Sequence, residues 1–238
     1  MTTSNPYTPN SIVDWLRAAA AYIHDFSGRT FVIAFGGEVV DDAQFVTLSY
    51  DINLLASLNV RLLLVHGARP QIEARLRKIK HDPVFVNGLR VTDDITMDIV
   101  REVNGALRVD IEAIFSAGLH HSYMAGSNIK ITSGNFVLAK PLGVRDGIDL
   151  QHTGEVRKID SVNISALLQS GQLVLLSPLG YSLTGEIFNL TVEDVAVSAA
   201  IALSADKLIF LMDSDGIHNA QGHLLREMSV SKAQHLLA

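Results

Sequence analysis

The chain has 238 residues, of which 48% are hydrophobic, with no cysteine and a formal net charge of −6 at pH 7. This length and apolar content suit one sizeable domain, and the apolar runs are too short and too often broken by charge to span a membrane. The acidic balance argues against nucleic acid as the main partner. The lack of cysteine excludes disulfides and thiolate metal sites and, with no signal peptide visible, predicts a soluble cytoplasmic protein.

The N-terminal part predicts a tail, a helix and a strand in that order. Residues 1–10 resemble a flexible tail, and Ser11 with Asp14 three places on indicates the N-cap of a helix that ends near Phe26. Gly28 stops that helix, and residues 30–35 read as a buried strand. Further along, the pattern predicts helices at 41–57, 70–80, 92–118 and 196–205, strands at 60–65, 172–176 and 207–212, and a last helix from about Ser229.

Two regions depart from this alternation. Asn87-Gly88, between two short apolar runs, is the strongest hairpin signal, and Thr92 after it is read as the cap of the long helix. Residues 129–159 consist of short strand-like runs between Gly-containing turns, and we interpret them as a small antiparallel β insert over one end of the main sheet. Strands alternating with helices elsewhere favour a parallel sheet covered on both faces.

Three glycine-containing loops each follow an apolar strand and precede a helix. They are Gly36-Gly37, residues 66–70, and the long segment 177–194, rich in glycine and hydroxyl groups. Free backbone N–H groups and the helix dipole favour anions at such places. The three loops together therefore predict a site for a small charged ligand, with Arg69 and Arg90 as candidate cations.

Each candidate also has an ordinary structural interpretation. A glycine pair after a strand is a turn at least as often as a ligand loop, and Arg69 and Arg90 could be solvated surface charges. The nine histidines, including the pair His120-His121, show no metal-ligand spacing, so we assign no metal site. Asp213-Ser214-Asp215-Gly216 lacks the other positions of a calcium loop and reads as a turn.

The loops together resemble the amino acid kinase family, from about Ser11 to the end. The branch they are most similar to contains N-acetylglutamate kinase and the kinase-like domain of bacterial N-acetylglutamate synthase. The motifs that carry the resemblance are Phe-Val-Ile-Ala-Phe-Gly-Gly at 31–37, Val-His-Gly-Ala-Arg-Pro-Gln-Ile at 65–72, Gly-Leu-Arg-Val-Thr-Asp at 88–93, Ser-Gly-Asn-Phe at 133–136, His-Thr-Gly-Glu-Val-Arg-Lys at 152–158, and the segment 177–194 with Thr-Gly-Glu-Ile-Phe-Asn-Leu-Thr. The resemblance implies a three-layer α/β sandwich with a mainly parallel central sheet.

Three departures from the kinase pattern favour the synthase side of this branch. Ala34 stands where the kinases carry a lysine, Ala68 and Arg69 stand where they carry glycines, and Glu193 stands where they carry an aspartate. The lysine would stabilise the transferring phosphoryl group, which alanine cannot do. These degenerate positions make kinase activity unexpected, and no catalytic residue is assigned.

The resemblance implies a regulatory role in a larger enzyme. In the synthases a following acetyltransferase domain transfers acetyl from acetyl-CoA to glutamate, the first step of arginine biosynthesis, while the kinase-like domain binds arginine and builds a homo-oligomer. Residues 11–27 would be the oligomerisation helix, with Trp15, Tyr22 and Phe26 at its contacts or, equally, in ordinary core packing. Residues 28–238 would be the kinase-like domain, C-terminally incomplete and without its acetyltransferase partner.

By motif position, the amino-acid pocket would be formed by Gly37, Gly67, Arg69, Arg90 and Asn189, with no cofactor in this segment. Arginine, glutamate and N-acetylglutamate are the expected ligands, and neither nucleic acid nor a membrane is an expected partner. Two alternatives remain open, an N-acetylglutamate kinase with an unusual site and a stand-alone binding module. Oligomer number stays undetermined.

Overall fold

The computed structural model describes residues 9–41, 45–116, 129–219 and 221–237. Its helices are α1 (Pro9–Phe26), α2 (Gly37–Asp41), α3 (Phe45–Ser57), α4 (Arg69–Lys78), α5 (Asp94–Ser116), α6 (Ser161–Gln169), α7 (Val192–Ala202) and α8 (Val230–Leu237). Its strands are β1 (Thr30–Phe35), β2 (Arg61–His66), β3 (Phe85–Val86), β4 (Leu89–Arg90), β5 (Ile131–Thr132), β6 (Val137–Pro141), β7 (Val144–Arg145), β8 (Ile148–Asp149), β9 (Gly154–Ile159), β10 (Leu173–Leu176), β11 (Leu179–Tyr181), β12 (Ile187–Asn189) and β13 (Lys207–Leu211).

A five-stranded parallel sheet forms the middle layer, in the order β13-β1-β2-β10-β5. Successive residues of a strand point to opposite faces, and β1 shows this alternation. Its Val32 and Ala34 join the apolar cluster under α6 and α7, whereas Phe31 and Ile33 join the cluster under α3 and α5. Helices therefore cover both faces, which confirms the predicted sandwich with a mainly parallel sheet.

A second, four-stranded sheet lies next to the carboxyl end of β10, in the order β12-β11-β6-β9. The prediction of a small antiparallel β insert at 129–159 is confirmed for the pairs β6–β9 and β7–β8 and is wrong in two respects. Strand β5 joins the parallel sheet, and the second sheet recruits the hairpin β11–β12 from the segment predicted to be a loop. The recruitment follows from packing, because Phe188 on β12 and Val137 on β6 share one buried cluster.

Helices α4 and α5 share a third buried apolar cluster, and the hairpin β3–β4 lies between them in the sequence. Asn87 and Gly88 both have positive φ, 49° and 79°, as a two-residue turn between antiparallel strands requires, so the predicted hairpin is confirmed. The Asp93 carboxylate accepts a hydrogen bond from the Thr96 N–H at 2.8 Å. Asp93 rather than Thr92 therefore caps α5, because the Thr92 side chain is engaged elsewhere.

Other element boundaries also differ from the sequence-based expectations. The predicted helix at 41–57 corresponds to α2 and α3, which flank three residues outside the described ranges. Helix α7 begins at Val192, four residues before the prediction, because the Thr191 hydroxyl caps it by accepting a hydrogen bond from the Asp194 N–H. Gly118, the predicted end of α5, lies outside the described residues.

Helix α1 begins at Pro9, so Ser11 lies inside the helix and is not its N-cap. Proline suits a first helical position because its missing N–H would have no intrahelical partner there. Most described side chains of α1 are exposed, whereas Phe26 at its end packs edge-on against Phe31 with ring centroids 5.5 Å apart. Within the described ranges, no helix is both long and apolar enough to cross a membrane.

Candidate functional site

The three predicted loops converge at one edge of the parallel sheet. Strands β1, β2 and β10 are neighbours and run in the same direction, so the loops that follow them emerge side by side. The Gly67 N–H donates a hydrogen bond of 2.7 Å to the Phe35 carbonyl and thereby ties the second loop to the first. A cleft of about 530 Å³ opens at this edge. The prediction that the loops form one site is thus supported by their positions.

Every pocket residue proposed from the sequence lines this cleft. The lining includes the expected ligand-binding positions and the three degenerate kinase positions, namely Gly37, Gly67, Arg69, Arg90, Asn189, Ala34, Ala68 and Glu193. They come from both sheets, from the β3–β4 hairpin, from the loop after β2 and from the first turns of α2, α4 and α7. This juxtaposition of segments far apart in the sequence is what a binding site requires.

Gly67 allows the first two loops to touch. A Cβ atom at this position would lie 2.9 Å from the Gly36 Cα and 2.9 Å from the Gly37 nitrogen. Both are backbone atoms, which cannot rotate away as the end of a flexible side chain can. The glycine is therefore required for close backbone approach rather than for an unusual φ.

His66 joins the second loop to the third. Its ring is fully buried, with Nδ1 3.1 Å from the Gly67 carbonyl oxygen and Nε2 2.8 Å from the Ser177 hydroxyl. Burial lowers the pKa of His66 to about 4, so the ring is neutral at pH 7. In that state Nδ1–H donates to the carbonyl and Nε2 accepts from the hydroxyl, a tautomer inferred from these partners. The neutral His66 ring therefore holds the second and third loops together by hydrogen bonds.

Arg69 and Arg90 form the charged wall of the cleft, and both are paired with Glu73, which does not itself line the cleft. Glu73 Oε1 accepts hydrogen bonds from Arg69 Nε at 2.9 Å and from Arg90 Nη2 at 3.0 Å. Both guanidiniums also lie over the Phe85 ring, at 5.2 and 4.8 Å from its centroid. Burial alone would raise the pKa of Glu73, but the hydrogen bond and charge of Arg69, together with Arg90, outweigh burial and lower that pKa. The carboxylate is therefore ionised at pH 7.

Arg90 is not the solvated strand residue of the alternative interpretation. It is 8% exposed, and burial lowers its pKa while the charge of Glu73 opposes that shift. Its Nη1 atom is buried without a hydrogen-bond partner among the described residues. An unpaired buried donor is costly, by about 1–3 kcal/mol, and ligand sites are one place where such groups occur.

A hydroxyl network supports Asn189 at the opposite wall. The Asn189 side-chain N–H donates to the Thr92 hydroxyl at 3.0 Å, and the Thr92 and Thr153 hydroxyls are hydrogen bonded at 2.9 Å. Thr153 in turn donates to the Arg90 carbonyl. The backbone of Arg90 and the side chain of Asn189 are thus linked through two buried threonines.

The cleft has little cationic charge for a polyphosphate. Its charged lining residues are Arg69 and Arg90 against Glu38, Glu193 and Asp213, and no lysine is among the described lining residues. Ala34 is fully buried and Ala68 is 2% exposed, so neither position offers a donor side chain. Glu193 is exposed in the first turn of α7. Phosphoryl transfer depends on cations around the transferred group, and here the acidic lining residues outnumber the two arginines.

The remaining candidates lie elsewhere. Trp15 and Tyr22 are 70% and 67% exposed on α1, and none of Trp15, Tyr22 and Phe26 lines the cleft. His120 and His121 lie outside the described residues. Among the residues that the structure describes, no group of three or more histidines and carboxylates is arranged to hold a metal ion.

The sequence did not predict that Glu73, Thr92 and Thr153 support the site through their hydrogen bonds. Glu73 had a usable signal, because it follows Arg69 by four residues on a helix and such pairs face each other. Thr153 had none, because its position depends on how the second sheet folds against the β3–β4 hairpin.

Comparison with known proteins places the chain in a family. Residues 29–236 match the amino acid kinase family. The chain is 49% identical over 230 residues to an amino-acid acetyltransferase of Ralstonia nicotianae, covering 96% of this chain and 51% of that protein. It is 51% identical over 216 residues to an amino-acid acetyltransferase of Ectopseudomonas mendocina, covering 91% and 50%. The chain thus spans about half the length of these relatives.

Solved structures with a similar fold support the same family assignment. N-acetylglutamate synthase from Neisseria gonorrhoeae, complexed with coenzyme A and L-arginine, superposes with a TM-score of 0.88 at 34% identity, over 94% of this chain and 53% of that one. Carbamate kinase from Giardia lamblia, at 13% identity and a TM-score of 0.55 over 81% and 73% of the two chains, shares the fold. The sequence match, the parallel sheet and the loop-lined cleft lead to one conclusion: this chain belongs to the amino acid kinase family.

Proposed function

We propose that this chain is the N-terminal, kinase-like regulatory domain of an N-acetylglutamate synthase. The whole protein would be a cytoplasmic acyltransferase that moves acetyl from acetyl-CoA to the amino group of L-glutamate, the first step of arginine biosynthesis. The segment itself would catalyse nothing and would bind L-arginine as an effector. Relatives named amino-acid acetyltransferase at 49% and 51% identity support this proposal, as does a similar structure complexed with coenzyme A and L-arginine.

The proposal that the chain lacks kinase activity rests on one observation: the loop-lined cleft lacks the positive charge that phosphoryl transfer needs. Ala34 lies buried at the floor, where it can supply no ammonium group, and Ala68 and Arg69 occupy the second loop. Glu73 further offsets both arginines. Stabilisation of developing charge is the main source of rate in this chemistry. A fold without those cations can keep a binding role.

The same cleft suits an amino-acid ligand. Arg90 would bind a carboxylate, since a guanidinium matches the geometry of that group, and Asn189 would bind an amide or an acyl oxygen. Gly37 and Gly67 would allow the ligand to approach the backbone closely. N-acetylglutamate or glutamate fits this arrangement, and a similar synthase structure is complexed with N-acetylglutamate.

Helix α1 would be the element that joins subunits into a homo-oligomer. Trp15 and Tyr22 lie seven residues apart, about two helical turns, and both are largely exposed together with Leu16 at 55%. Large exposed apolar groups on one helix are typical of interaction surfaces. Phe26 is different, because it packs against Phe31 of its own subunit and under Lys207 Nζ at 4.7 Å. We therefore assign Trp15 and Tyr22 to the interface and Phe26 to the attachment of α1.

The test uses the protein purified from its source organism. We expect release of free coenzyme A from acetyl-CoA and L-glutamate, inhibition of that release by L-arginine, and heat of arginine binding by calorimetry. We expect no ADP from MgATP and N-acetylglutamate above the level of an Arg90→Ala variant. ADP release above that level would make the protein a kinase. Binding of arginine or N-acetylglutamate without either activity would make it a binding module.

A further inference from the structure

The two guanidiniums of the charged wall share one carboxylate, Glu73, which is not itself among the residues that line the cleft. Glu73 accepts from Arg69 and Arg90 through the same oxygen, at 2.9 and 3.0 Å. Arg90 is buried, whereas the Arg69 side chain is 68% exposed. Removing Glu73 would therefore leave two positive groups close together, one of them in a poorly hydrated place where charge acts strongly.

Glu73 reduces the net positive charge that this wall offers to a ligand. With Glu73 ionised, two guanidiniums and one carboxylate amount to a single positive charge. One buried donor, Arg90 Nη1, has no hydrogen-bond partner among the described residues. A monocarboxylate needs one opposite charge and few donors, whereas a phosphate group carries up to two negative charges and needs several donors. A fixed carboxylate beside the site repels the second charge of a phosphate.

We propose that Glu73 is a specificity-determining residue, which makes this wall accept a single carboxylate group and reject phosphate groups. The proposal rests on the proposed function, because it assigns a ligand class to the same cleft. Specificity arises as much from repulsion of the wrong ligand as from attraction of the right one. Glu73 would exclude ATP and other phosphorylated metabolites from a cleft whose loops otherwise resemble phosphate-binding loops.

The test compares two neutralising variants in the full-length protein. Glu73→Gln keeps the shape and one acceptor oxygen but removes the charge next to the arginines. Glu38→Gln is the matched control, because Glu38 is an exposed carboxylate that lines the same cleft and is not paired with Arg69 or Arg90. Each protein is titrated by calorimetry with inorganic pyrophosphate and with N-acetylglutamate at low ionic strength, since salt screens the effect.

We expect Glu73→Gln to raise the ratio of pyrophosphate to N-acetylglutamate affinity by about tenfold or more, equivalent to about 1.4 kcal/mol. Glu38→Gln should raise it by clearly less. Equal ratios in the two variants, or no gain in Glu73→Gln, would overturn the proposal. Glu73→Asp keeps the charge and should keep the discrimination. A gain in Glu73→Asp as large as in Glu73→Gln would show that shape alone decides, and would also overturn it.

The two proposals fail separately. If N-acetylglutamate does not bind, the pyrophosphate affinity alone replaces the ratio, and Glu73→Gln should still raise it about tenfold while Glu38→Gln raises it clearly less. A wild-type protein that binds neither N-acetylglutamate nor arginine would count against the regulatory function alone. A thermal melt of each variant identifies loss of folding, and Glu73→Asp then provides the comparison with the wild type.

Discussion

Replacing Gly67 with alanine should destabilise the protein and distort its cleft. The added Cβ would meet backbone atoms of Gly36 and Gly37 at 2.9 Å, so the first two loops must move apart. Overpacking of this kind costs about 1–3 kcal/mol. In a chain of 238 residues each kcal/mol shifts Tm by about 2–4 °C, so a cost of about 2 kcal/mol lowers Tm by about 4–8 °C. Affinity for N-acetylglutamate should fall as well, because the displaced loops line the cleft.

Gly105→Ala is the matched control, measured by the same thermal melts and titrations. Gly105 lies within α5, and a Cβ there would meet nothing within 4 Å. Alanine in a helix is about 0.5–1 kcal/mol more favourable than glycine, so this variant should gain stability. Opposite signs for the two substitutions are the expected result. A Gly67→Ala protein with unchanged Tm and unchanged affinity would refute the argument that close backbone approach builds the cleft.

Four further substitutions test other parts of the account. His66 has a pKa of about 4 in the folded protein against 6.5 when unfolded. The free energy of unfolding should therefore fall by up to about 3 kcal/mol as pH drops from about 6.5 to about 4. Urea titrations of His66→Asn over the same pH range should show a smaller fall. Thr153→Val leaves the Thr92 N–H without its side-chain partner and should cost about 1–3 kcal/mol, measured as a lower urea midpoint. Trp15→Ala should lower the oligomeric state in sedimentation experiments at unchanged subunit folding, whereas Phe26→Ala should lower Tm. A Trp15→Ala protein with an unchanged sedimentation coefficient would count against α1 as the interface.

The parallel core could be predicted because its signals are local. Strand β1 has the predicted bounds, since an apolar run between two glycine-containing segments leaves few other possibilities. The hairpin at Asn87-Gly88 was predictable for a similar reason, because two consecutive positive φ angles select those residue types. The convergence of the loops followed from strand direction alone.

The second sheet could not be predicted from local pattern. Its strands β6 and β11 are paired although β9, α6 and β10 lie between them in the sequence, and β12 pairs back on β11 within a segment whose composition suggests a loop. Pairing over such distances is decided by burial of residues such as Phe188 against the parallel core. The Thr92–Thr153–Asn189 network depends on that pairing and was missed with it.

The sequence predicted which residues line the candidate site, but it did not predict their burial or their ion pairs. Arg90 was predicted as a candidate cation of the ligand site, but its burial and its pairing with Glu73 depend on how the hairpin packs beside α4. Trp15, Tyr22 and Phe26 were considered together, and the structure separates them by burial. Spacing on a helix shows which residues share a face, and it does not show what that face contacts.

The central claim is that this family fold keeps a binding cleft and lacks phosphoryl transfer. The most direct measurement is ADP formation from MgATP and N-acetylglutamate by the full-length protein, in parallel with its Arg90→Ala variant. We predict equal, background rates for the two proteins, while calorimetry of the wild type under the same conditions shows a bound amino-acid ligand. Wild-type turnover above the variant would contradict the claim, because it would show that the cleft works without a lysine at position 34.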